Sequence, residues 1–463
     1  MHAQDITSVT HLTPQTLIGK YESRGPRYTS YPTAPQFSSE FDTEAFRENM
    51  QNRANRNTPL SVYVHVPFCR DICYYCACNK VVTRKPGVSR RYLDHLAMEI
   101  EQLSSWLSPS RPVTQLHWGG GTPSYLDGAE MTELMHLLAS HFTLLDQGER
   151  EYSIELDPRT VDGSSIALLK GLGFNRISLG VQDFDPLVQK TINRIQPFSM
   201  VKNLVDVIRD HSFDSLSFDL IQGLPYQDVH TTNATLNKVI ELSPDRISCY
   251  SYAHLPTRFA SQRAIDRHTI PSSKERMLMQ EVVAQRLTSE GYRHIGMDHF
   301  VKPEDELVRA QINGKLQRNF QGYSVNLAPE LIGIGASSIS FLGGYLIQNE
   351  TNLDTYYDRL QRGETCICKG LKLSEEDKFR GAIIAQIICN LSLDFTAFLE
   401  AWGIDFHDHF KQVEPRLQQM CDDGLISISK TGLIVTEVGR PFLRNICMLF
   451  DEYIPITGSS RIY

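Results

Sequence analysis

The sequence predicts an α/β fold: an open, partial (β/α)6-type barrel of parallel strands, with an N-terminal arm and a mostly helical C-terminal domain. Three observations predict it. From Leu60 onward, short β-rich runs alternate with amphipathic stretches, which is the pattern of βαβ units. Six or so such units within roughly 200 residues fit a partial barrel. After about Leu373 the pattern becomes helical, which indicates a separate domain.

The order of the elements gives expected domain boundaries. The first fifty residues are polar and rich in Thr, Ser, Pro and Tyr, so we expect residues 1–55 to form an extended arm or lid with little core of its own. The barrel is expected over residues 56–365. Its predicted strands are Ser61–Val66, Gln115–Trp118, Tyr152–Leu156, Arg176–Leu179, Ser215–Leu220 and Arg246–Tyr250. A doubly wound open sheet is the structural alternative, and in both folds the functional residues end strands.

The predicted C-terminal domain covers residues 366–463. Its helices are followed by two short β-like runs at 425–429 and 432–436, which resembles a winged-helix arrangement. Such a fold does not imply DNA binding, and this segment lacks a basic helix.

Composition excludes several classes of protein. The 463 residues are 41% hydrophobic and 22% charged, and the formal net charge is −8, so no global basic field attracts nucleic acid. No run of eighteen apolar residues occurs, and the first thirty residues have no apolar segment, so we expect neither a membrane span nor a cleaved secretory signal. Ten cysteines are few for this length, which indicates a reduced, cytoplasmic protein rather than a disulfide scaffold.

Four of the ten cysteines cluster within ten residues, directly after the first predicted strand. Cys69, Cys73 and Cys76 are spaced C-x3-C-x2-C, and thiolates crowded on one loop suit an iron–sulfur cluster. A structural zinc site, the lesser alternative, usually has two ligand pairs separated by a longer spacer. Three ligands for four irons leave one iron open. The role of Cys78 stays open between a fourth ligand, a substrate-side residue and a local structural thiol.

Later strands also end in candidate functional residues. The run Gly119-Gly-Gly121 permits close backbone approach to a ligand. Polar residues at successive strand ends indicate a shared cavity, because an unpaired buried polar group costs roughly 1–3 kcal/mol. They are Glu155, Asp157, Gln182 and Asp219, and Arg194 is a candidate carboxylate clamp.

The cysteine spacing, with Tyr75 before the third cysteine, resembles the radical S-adenosylmethionine superfamily. Longer motifs resemble one family within it, the oxygen-independent coproporphyrinogen III oxidases, over nearly the whole chain from about Tyr21 to Tyr453. The motifs are His117-Trp-Gly-Gly-Gly-Thr-Pro, Gly180-Val-Gln-Asp-Phe, Tyr252-Ala-His-Leu-Pro, Gly296-Met-Asp-His-Phe, Arg318-Asn-Phe-Gln-Gly-Tyr and Arg444-Asn-Ile-Cys-Met-Leu-Phe-Asp.

The resemblance implies a set of ligands. Cys69, Cys73 and Cys76 would hold a 4Fe–4S cluster. One S-adenosylmethionine would contact four positions, which are Tyr63, Tyr75, Gly120 and Glu155. A second S-adenosylmethionine is implied at Gly121, Thr122, Gln182, Arg194, Asp219, Ala253 and Ile339. No side chain is expected to act as an acid or base, because the cofactor delivers a radical.

The resemblance also implies a reaction, in which two propionates of coproporphyrinogen III become vinyl groups to give protoporphyrinogen IX. It implies an external electron donor and an external electron acceptor. We expect the enzyme to be a monomer. Candidate cations for the substrate carboxylates are Arg24, Arg27, Lys315 and Arg318, and candidate aromatic contacts are Trp118, Phe300 and Phe320. A haem-binding chaperone and a radical haem-degrading methyltransferase are the rival functions. Cys78 favours the oxidase, because the chaperones usually carry Phe there.

Overall fold

The computed structural model describes residues 14–21, 25–52, 57–148, 150–325 and 328–454. Contacts divide the chain into two compact units. The larger, called the barrel unit, covers residues 33–374, and the smaller, called the C-terminal unit, joins the N-terminal residues up to Pro32 with residues from Glu375 onward. The predicted boundaries after residues 55 and 365 remain predictions.

The strands of the described residues run throughout the barrel unit and end with a small group in the C-terminal unit. In chain order they are β1 (Leu60–Val66), β2 (Phe68–Cys69), β3 (Val81–Val82), β4 (Pro112–Gly120), β5 (Thr143–Leu144), β6 (Glu151–Leu156), β7 (Arg176–Gln182), β8 (Ser215–Gln222), β9 (Arg246–Ser251), β10 (Arg293–Gly296), β11 (His299–Val301), β12 (Gln317–Asn319), β13 (Gly322–Ser324), β14 (Glu330–Ile334), β15 (Ile339–Leu342), β16 (Tyr345–Asn349), β17 (Ile367–Lys372), β18 (Ser392–Asp394), β19 (Ile426–Ile428) and β20 (Gly432–Val435).

The α-helices alternate with these strands. They are α1 (Pro14–Tyr21), α2 (Thr43–Asn52), α3 (Val88–Ser104), α4 (Gly128–His141), α5 (Gly163–Gly171), α6 (Pro186–Thr191), α7 (Phe198–Asp210), α8 (Val229–Leu242), α9 (Ser273–Ser289), α10 (Glu306–Ile312), α11 (Leu353–Gln361), α12 (Glu375–Asn390), α13 (Phe395–Trp402), α14 (Phe406–His409), α15 (Glu414–Asp422) and α16 (Leu443–Met448). Within the described ranges, no helix is both long and apolar enough to cross a bilayer.

The central sheet confirms the predicted fold class. Six parallel strands follow the order β9-β8-β7-β6-β4-β1, and all six predicted strands lie within them. The parallel strand β14 joins next to β1, and antiparallel strands extend the sheet at both sides, so the two edges are β10 and β17. The sheet is therefore an open barrel wall, and the carboxyl ends of the parallel strands meet at one rim.

Polar and apolar side chains alternate along the barrel strands, so one face of the sheet is apolar and the other lines a polar cavity. In β7 the apolar residues Ile177, Leu179 and Val181 are buried in the core. The alternate residues Arg176 and Ser178 line an interior cavity of about 140 Å³. Strands β6, β8 and β9 repeat this pattern, with Ser, Glu, Asp, Arg and Tyr on the cavity side. Because side chains alternate across a strand, one sheet has an apolar outer face against the helices and a polar inner face.

Several helices that follow parallel strands begin with an aspartate cap. The side chains of Asp127, Asp162, Asp185 and Asp228 accept backbone N–H bonds at the starts of α4, α5, α6 and α8. An N-cap typically contributes about 1 kcal/mol. These caps fix where each strand-to-helix loop ends, and so hold the loops of the rim.

Part of the predicted arm belongs to the barrel unit. Residues 43–52 form α2, a helix that the sequence interpretation missed, and its Phe46 and Met50 are buried in the main core. Ser38 also exchanges backbone hydrogen bonds with Gly370 of β17. The apolar spacing of Phe46 and Met50 places both on one helix face, which was the available signal.

The C-terminal unit contains the predicted hairpin. Strands β19 and β20 pair antiparallel, and β18 adds a third strand. Its core is aromatic: the rings of Phe395 and Phe406 stack with centroids 4.0 Å apart, and Phe410 and Phe450 pack beside them. Residues of the N-terminal segment are bonded into the same unit, because Arg444 Nε donates to the carbonyl of Pro26 at 3.0 Å.

The buried carboxylate of Glu99 connects α3 with the part of the sheet that runs from β14 to β17. Glu99 of α3 is 1% exposed and accepts hydrogen bonds from donors on four other segments, which are the loop after β14, the end of β16, α11 and the residue before β17. The donors are Gly335 N at 2.8 Å, Asn349 Nδ2 at 2.6 Å, Tyr356 Oη at 2.5 Å and Cys366 Sγ at 3.3 Å. Burial raises the pKa of Glu99, and the four donors oppose that rise. This acceptor therefore joins α3, α11 and the strands around β14 and β17.

We expect Glu99→Ala to lower the free energy of unfolding by roughly 3 kcal/mol, because it leaves several buried donors without an acceptor. Glu101→Ala, an exposed position on the same helix, is the matched control and should change it by no more than about 0.5 kcal/mol. Urea unfolding followed by far-UV circular dichroism measures both. Equal losses in the two variants would contradict the role of the Glu99 cluster.

Candidate active site

The three spaced cysteines lie on one loop after β1, at the carboxyl rim of the sheet. Strands β2 and β3 pair in parallel and close the base of this loop. Within it, Cys76 N donates to Cys73 O at 3.2 Å, so these two residues share a tight turn. Burial raises the pKa of Cys69 to about 11, and the nearby thiols of Cys76 and Cys73 contribute to that rise. The thiols of Cys73 and Cys76 therefore lie close enough to Cys69 to affect its pKa.

Two of the thiols have polar neighbours from other strands. Cys69 Sγ lies 3.4 Å from Thr122 Oγ1, beyond the end of β4. Cys73 is buried, and its sulfur accepts from Arg194 Nη1 at 3.5 Å and from Arg159 Nη2 at 3.7 Å. The rim loops therefore surround the cysteine loop with hydrogen-bond donors.

Cys76 and Cys78 interact with each other. A hydrogen bond from the Cys78 thiol lowers the pKa of Cys76 to about 6, and the Lys80 ammonium adds to that shift. Lys80 Nζ also donates to the carbonyl of Cys76 at 3.0 Å. These neighbours therefore favour the thiolate form of Cys76.

The donor set fits an iron–sulfur cluster. All three thiols are free, Cys73 and Cys76 share one turn, and both lie close enough to Cys69 to influence its pKa. The described residues contain no group of three or more His, Cys, Asp and Glu side chains placed around a single ion. A cubic cluster needs no such group, because each thiolate binds a different iron.

Three consecutive glycines at the end of β4 allow the cysteine loop and the next strand to approach. A Cβ at Gly119 would lie 2.9 Å from Glu155 Cδ, and one at Gly121 would lie 2.6 Å from the carbonyl carbon of Pro67. Gly120 has a φ of +109°, which side chains disfavour, and its N–H donates to Glu155 Oε2 at 3.3 Å. Larger residues here would push the rim apart.

Glu155 ends β6 and faces the cavity. His117 Nε2 lies 3.2 Å from its Oε1, and His117 Nδ1 lies 2.6 Å from Ser153 Oγ. The ring of Tyr63 stacks on His117 with centroids 5.8 Å apart, and its hydroxyl lies 3.1 Å from His65 Nδ1. The structure thus brings three predicted residues together. Tyr63 and Glu155 both contact His117, and Gly120 donates to Glu155.

A second group forms at the ends of β7 and β8. Asp219 Oδ2 accepts from Ser178 Oγ at 2.7 Å, and burial raises the pKa of Asp219 to about 6. Arg194 Nη2 donates to Gly180 O at 2.7 Å. Gln182 adopts a φ of +66°, and its amide nitrogen would lie 2.9 Å from a Cβ on Gly180. Gly180 therefore leaves room for both side chains at the rim.

Tyr75 and Ala253 are joined by a residue that the sequence interpretation missed. The buried Gln262 donates from one amide nitrogen to Tyr75 O at 2.9 Å and to Ala253 O at 3.1 Å. Ile339 begins β15, with its carbonyl packed against Gly333 of β14.

The sequence interpretation also missed His117, Lys80 and Arg159. The available signal for His117 was a polar residue inside a strand run, and in the structure it pairs with Ser153 of β6. Among the aromatic candidates, Trp118 is wrong as a substrate contact, because it is fully buried against Phe174. Phe300 is also buried, stacked on His294.

Comparison with known proteins identifies the family of this chain. The model of the radical SAM superfamily matches residues 63–239, and the model of the HemN C-terminal domain matches residues 373–442. The oxygen-independent coproporphyrinogen III oxidase of Pseudomonas aeruginosa is 44% identical over 445 residues, which cover 96% of this chain and 97% of that one. The protein of the same name from Escherichia coli K12 is 43% identical over 439 residues, which cover 95% of each.

A solved structure extends the likeness to three dimensions. The structure of coproporphyrinogen III oxidase (HemN) from Escherichia coli, described as a radical SAM enzyme, superposes with a TM-score of 0.89 at 42% identity. The match covers 92% of this chain and 98% of that one. With the cysteine loop and the rim residues in place, the chain belongs to the oxygen-independent coproporphyrinogen III oxidase family of radical SAM enzymes.

Proposed function

We propose that this protein converts coproporphyrinogen III to protoporphyrinogen IX by anaerobic oxidative decarboxylation of two propionate side chains to vinyl groups. The observation that carries the proposal is the convergence of the cysteine loop, the glycine run and the acidic strand ends at one rim of the barrel. Relatives that match this chain almost end to end are oxidases of this name. The Cys78 position, which separates the oxidases from haem chaperones, carries the cysteine.

Cys69, Cys73 and Cys76 are the proposed ligands of a 4Fe–4S cluster. Thiolates are the ligands that such clusters require, and the lowered pKa of Cys76 makes its thiolate available. Cys78 hydrogen-bonds Cys76 and is not assigned to the cluster.

Four residues near the cluster loop are proposed to hold S-adenosylmethionine, and they are Tyr63, Tyr75, Gly120 and Glu155. Glu155 presents a carboxylate fixed by His117, which suits a cationic amine or ribose hydroxyls. Gly120 lacks a side chain, so the ligand can reach the backbone there.

A second S-adenosylmethionine is proposed at the ends of the next strands. Its residues would be Gly121, Thr122, Gln182, Arg194, Asp219, Ala253 and Ile339. The Asp219 carboxyl group, oriented by Ser178, suits hydroxyl groups, and the Arg194 guanidinium suits a carboxylate.

When bound, the cluster and S-adenosylmethionine would supply a 5′-deoxyadenosyl radical, the reagent that can remove a hydrogen atom from an unactivated propionate carbon. Over the whole reaction, each propionate loses one hydrogen atom, carbon dioxide and one electron to become a vinyl group. An external acceptor would take that electron, and an external donor would reduce the cluster. The chain's own part is to hold the reactants at the rim and limit water there, since the cofactor carries the difficult step.

Positive side chains must bind the four substrate carboxylates, because the net charge of −8 repels them. Lys315 and Arg318 of the barrel unit are the proposed cations, and Arg27, which belongs to the C-terminal unit, is not assigned a substrate contact. The guanidinium of Arg318 lies 5.4 Å from the centre of the Tyr323 ring, which lines the cavity. The fourth candidate, Arg24, lies outside the described residues.

We also propose a cytoplasmic, monomeric protein. The ten cysteines are all free thiols, which suits a reducing compartment. The arm over residues 1–55, the barrel over 56–365 and the C-terminal domain over 366–463 are proposed as its functional divisions.

The direct test is anaerobic. The reconstituted, reduced protein is mixed with S-adenosylmethionine and coproporphyrinogen III, and the porphyrin mass is followed. We expect loss of two carboxyl groups, with release of 5′-deoxyadenosine. Tight haem binding without turnover would support a chaperone instead, and methylated or ring-opened haem would support the degrading methyltransferase.

We expect Cys69→Ala to abolish the visible absorption of the reconstituted cluster, because one of three ligands is removed. Cys421→Ala, which removes a free thiol of the C-terminal unit, is the matched control and should keep the absorption. Iron and sulfide content measured on both variants completes the comparison. A full cluster in Cys69→Ala would overturn the ligand assignment.

Asp219 makes stability depend on pH. Its pKa rises from 3.8 to about 6 on burial, so between about pH 4 and pH 6 the folded chain binds more protons than the unfolded one. Its contribution is therefore lost as pH rises through 6, by about 1 kcal/mol from pH 5 to pH 7.

We expect Asp219→Asn to lose less stability than the wild type between pH 5 and pH 7, in urea unfolding of the cofactor-free protein. Asp162→Asn is the control, because hydrogen bonds from Ser164 and Ser165 lower the pKa of Asp162 to about 2, below that range. Identical slopes for wild type and Asp219→Asn would contradict the shift.

A further inference from the structure

The three proposed cluster ligands have unequal surroundings. Cys69 faces one hydroxyl group, from Thr122, and Cys76 contacts the Cys78 thiol. Cys73 alone among the three has two guanidinium donors recorded at its sulfur, at 3.5 Å from Arg194 and at 3.7 Å from Arg159. Guanidinium donors are therefore concentrated beside Cys73, whereas the nearest cation to Cys76 is the single ammonium of Lys80.

One carboxylate holds both guanidiniums in place. Asp157 follows β6 and is 5% exposed; its Oδ2 accepts from Arg194 Nη1 at 3.0 Å and from Arg159 Nη2 at 2.7 Å. Arg159 also donates from its Nε and its backbone N–H to Asp157 Oδ1, each at 3.0 Å. These contacts with Asp157 hold the Arg159 side chain in one orientation. In that orientation its Nη2 also lies within hydrogen-bond distance of the Cys73 sulfur.

The group is electrostatically unbalanced. Burial would raise the pKa of Asp157, but Arg194 and Arg159 outweigh that effect and the pKa is lowered, so the carboxylate is ionised. Arginine stays charged in proteins. Two positive charges and one negative charge leave one net positive charge beside Cys73, in a region where water screens little.

A net positive charge beside a cluster ligand makes the reduction of the cluster more favourable. A cluster that gains one electron becomes more negative, and net positive charge and N–H donors at its sulfurs stabilise that state. The radical reaction begins with this one-electron reduction by an external donor.

We propose that Arg159 is a redox-positioning residue: held by Asp157 and acting beside Arg194, it donates to the Cys73 sulfur and raises the reduction potential of the cluster. This inference rests on the proposed ligands. It assigns to Arg159 no contact with the substrate. The step transfers one electron from the donor to the cluster and moves no proton.

The test is the midpoint potential of the reconstituted cluster, measured by electron paramagnetic resonance during an anaerobic redox titration. We expect Arg159→Met to shift it to a more negative value, because a charge and a donor are lost. Asp157→Asn should shift it the opposite way, because both guanidiniums then lose their counter-charge. A merely structural loosening of the loop would move both variants in one direction.

Arg159→Gln gives a second neutral variant should Arg159→Met fail to hold the cluster, and it carries the same expectation. Arg90→Met is the control, since Arg90 pairs with Glu133 on the surface and should leave the potential unchanged. An unshifted potential in a neutral Arg159 variant with full cluster content would overturn this inference alone. A wild-type protein that assembles no cluster would overturn the proposed function and this inference together.

Discussion

The structure depends on the alternation of apolar and polar side chains along parallel strands. Parallel sheets are usually covered on both faces and apolar throughout. Here the inner face of β6 to β9 is polar, and its groups pair with each other, as Ser178 does with Asp219, or with α10, as Arg246 does with Asp305 at 2.8 Å. Because these polar groups line the inner face, a cavity with polar walls lies inside the sheet, next to the proposed cofactor residues.

The rim depends on how closely backbones can approach. Gly121 N donates to Val66 O at 2.8 Å, which ties the end of β4 to the end of β1, directly before the cysteine loop. The neighbouring Gly119 leaves room for the Glu155 carboxylate. The same three glycines therefore position the proposed metal ligands and the proposed cofactor ligands, so the two parts of the site cannot move independently.

Sequence patterns predicted the features that are local in the chain. Strand runs such as Arg176–Leu179 depend on neighbours a few residues away, and the structure confirms them. The cysteine spacing is equally local, and ligation of a cluster by these residues stays a prediction. Contacts between distant segments were not predictable in this way. Gln262 meets Tyr75 across 187 positions, and Cys366 meets Glu99 across 267, and no spacing rule in one sequence records such pairs.

Local charge at the site differs in sign from the charge of the whole chain. The formal net charge is −8, yet Arg159, Arg194 and Lys80 all contact the cysteine loop. Arg194 is 8% exposed and the Asp157 beside it 5%, so salt screens this pair far less than it screens the acidic surface. Net charge therefore governs how the protein behaves in bulk solution, whereas the buried Arg194 and the partly buried Arg159 contribute positive charge directly at the proposed cluster ligand Cys73.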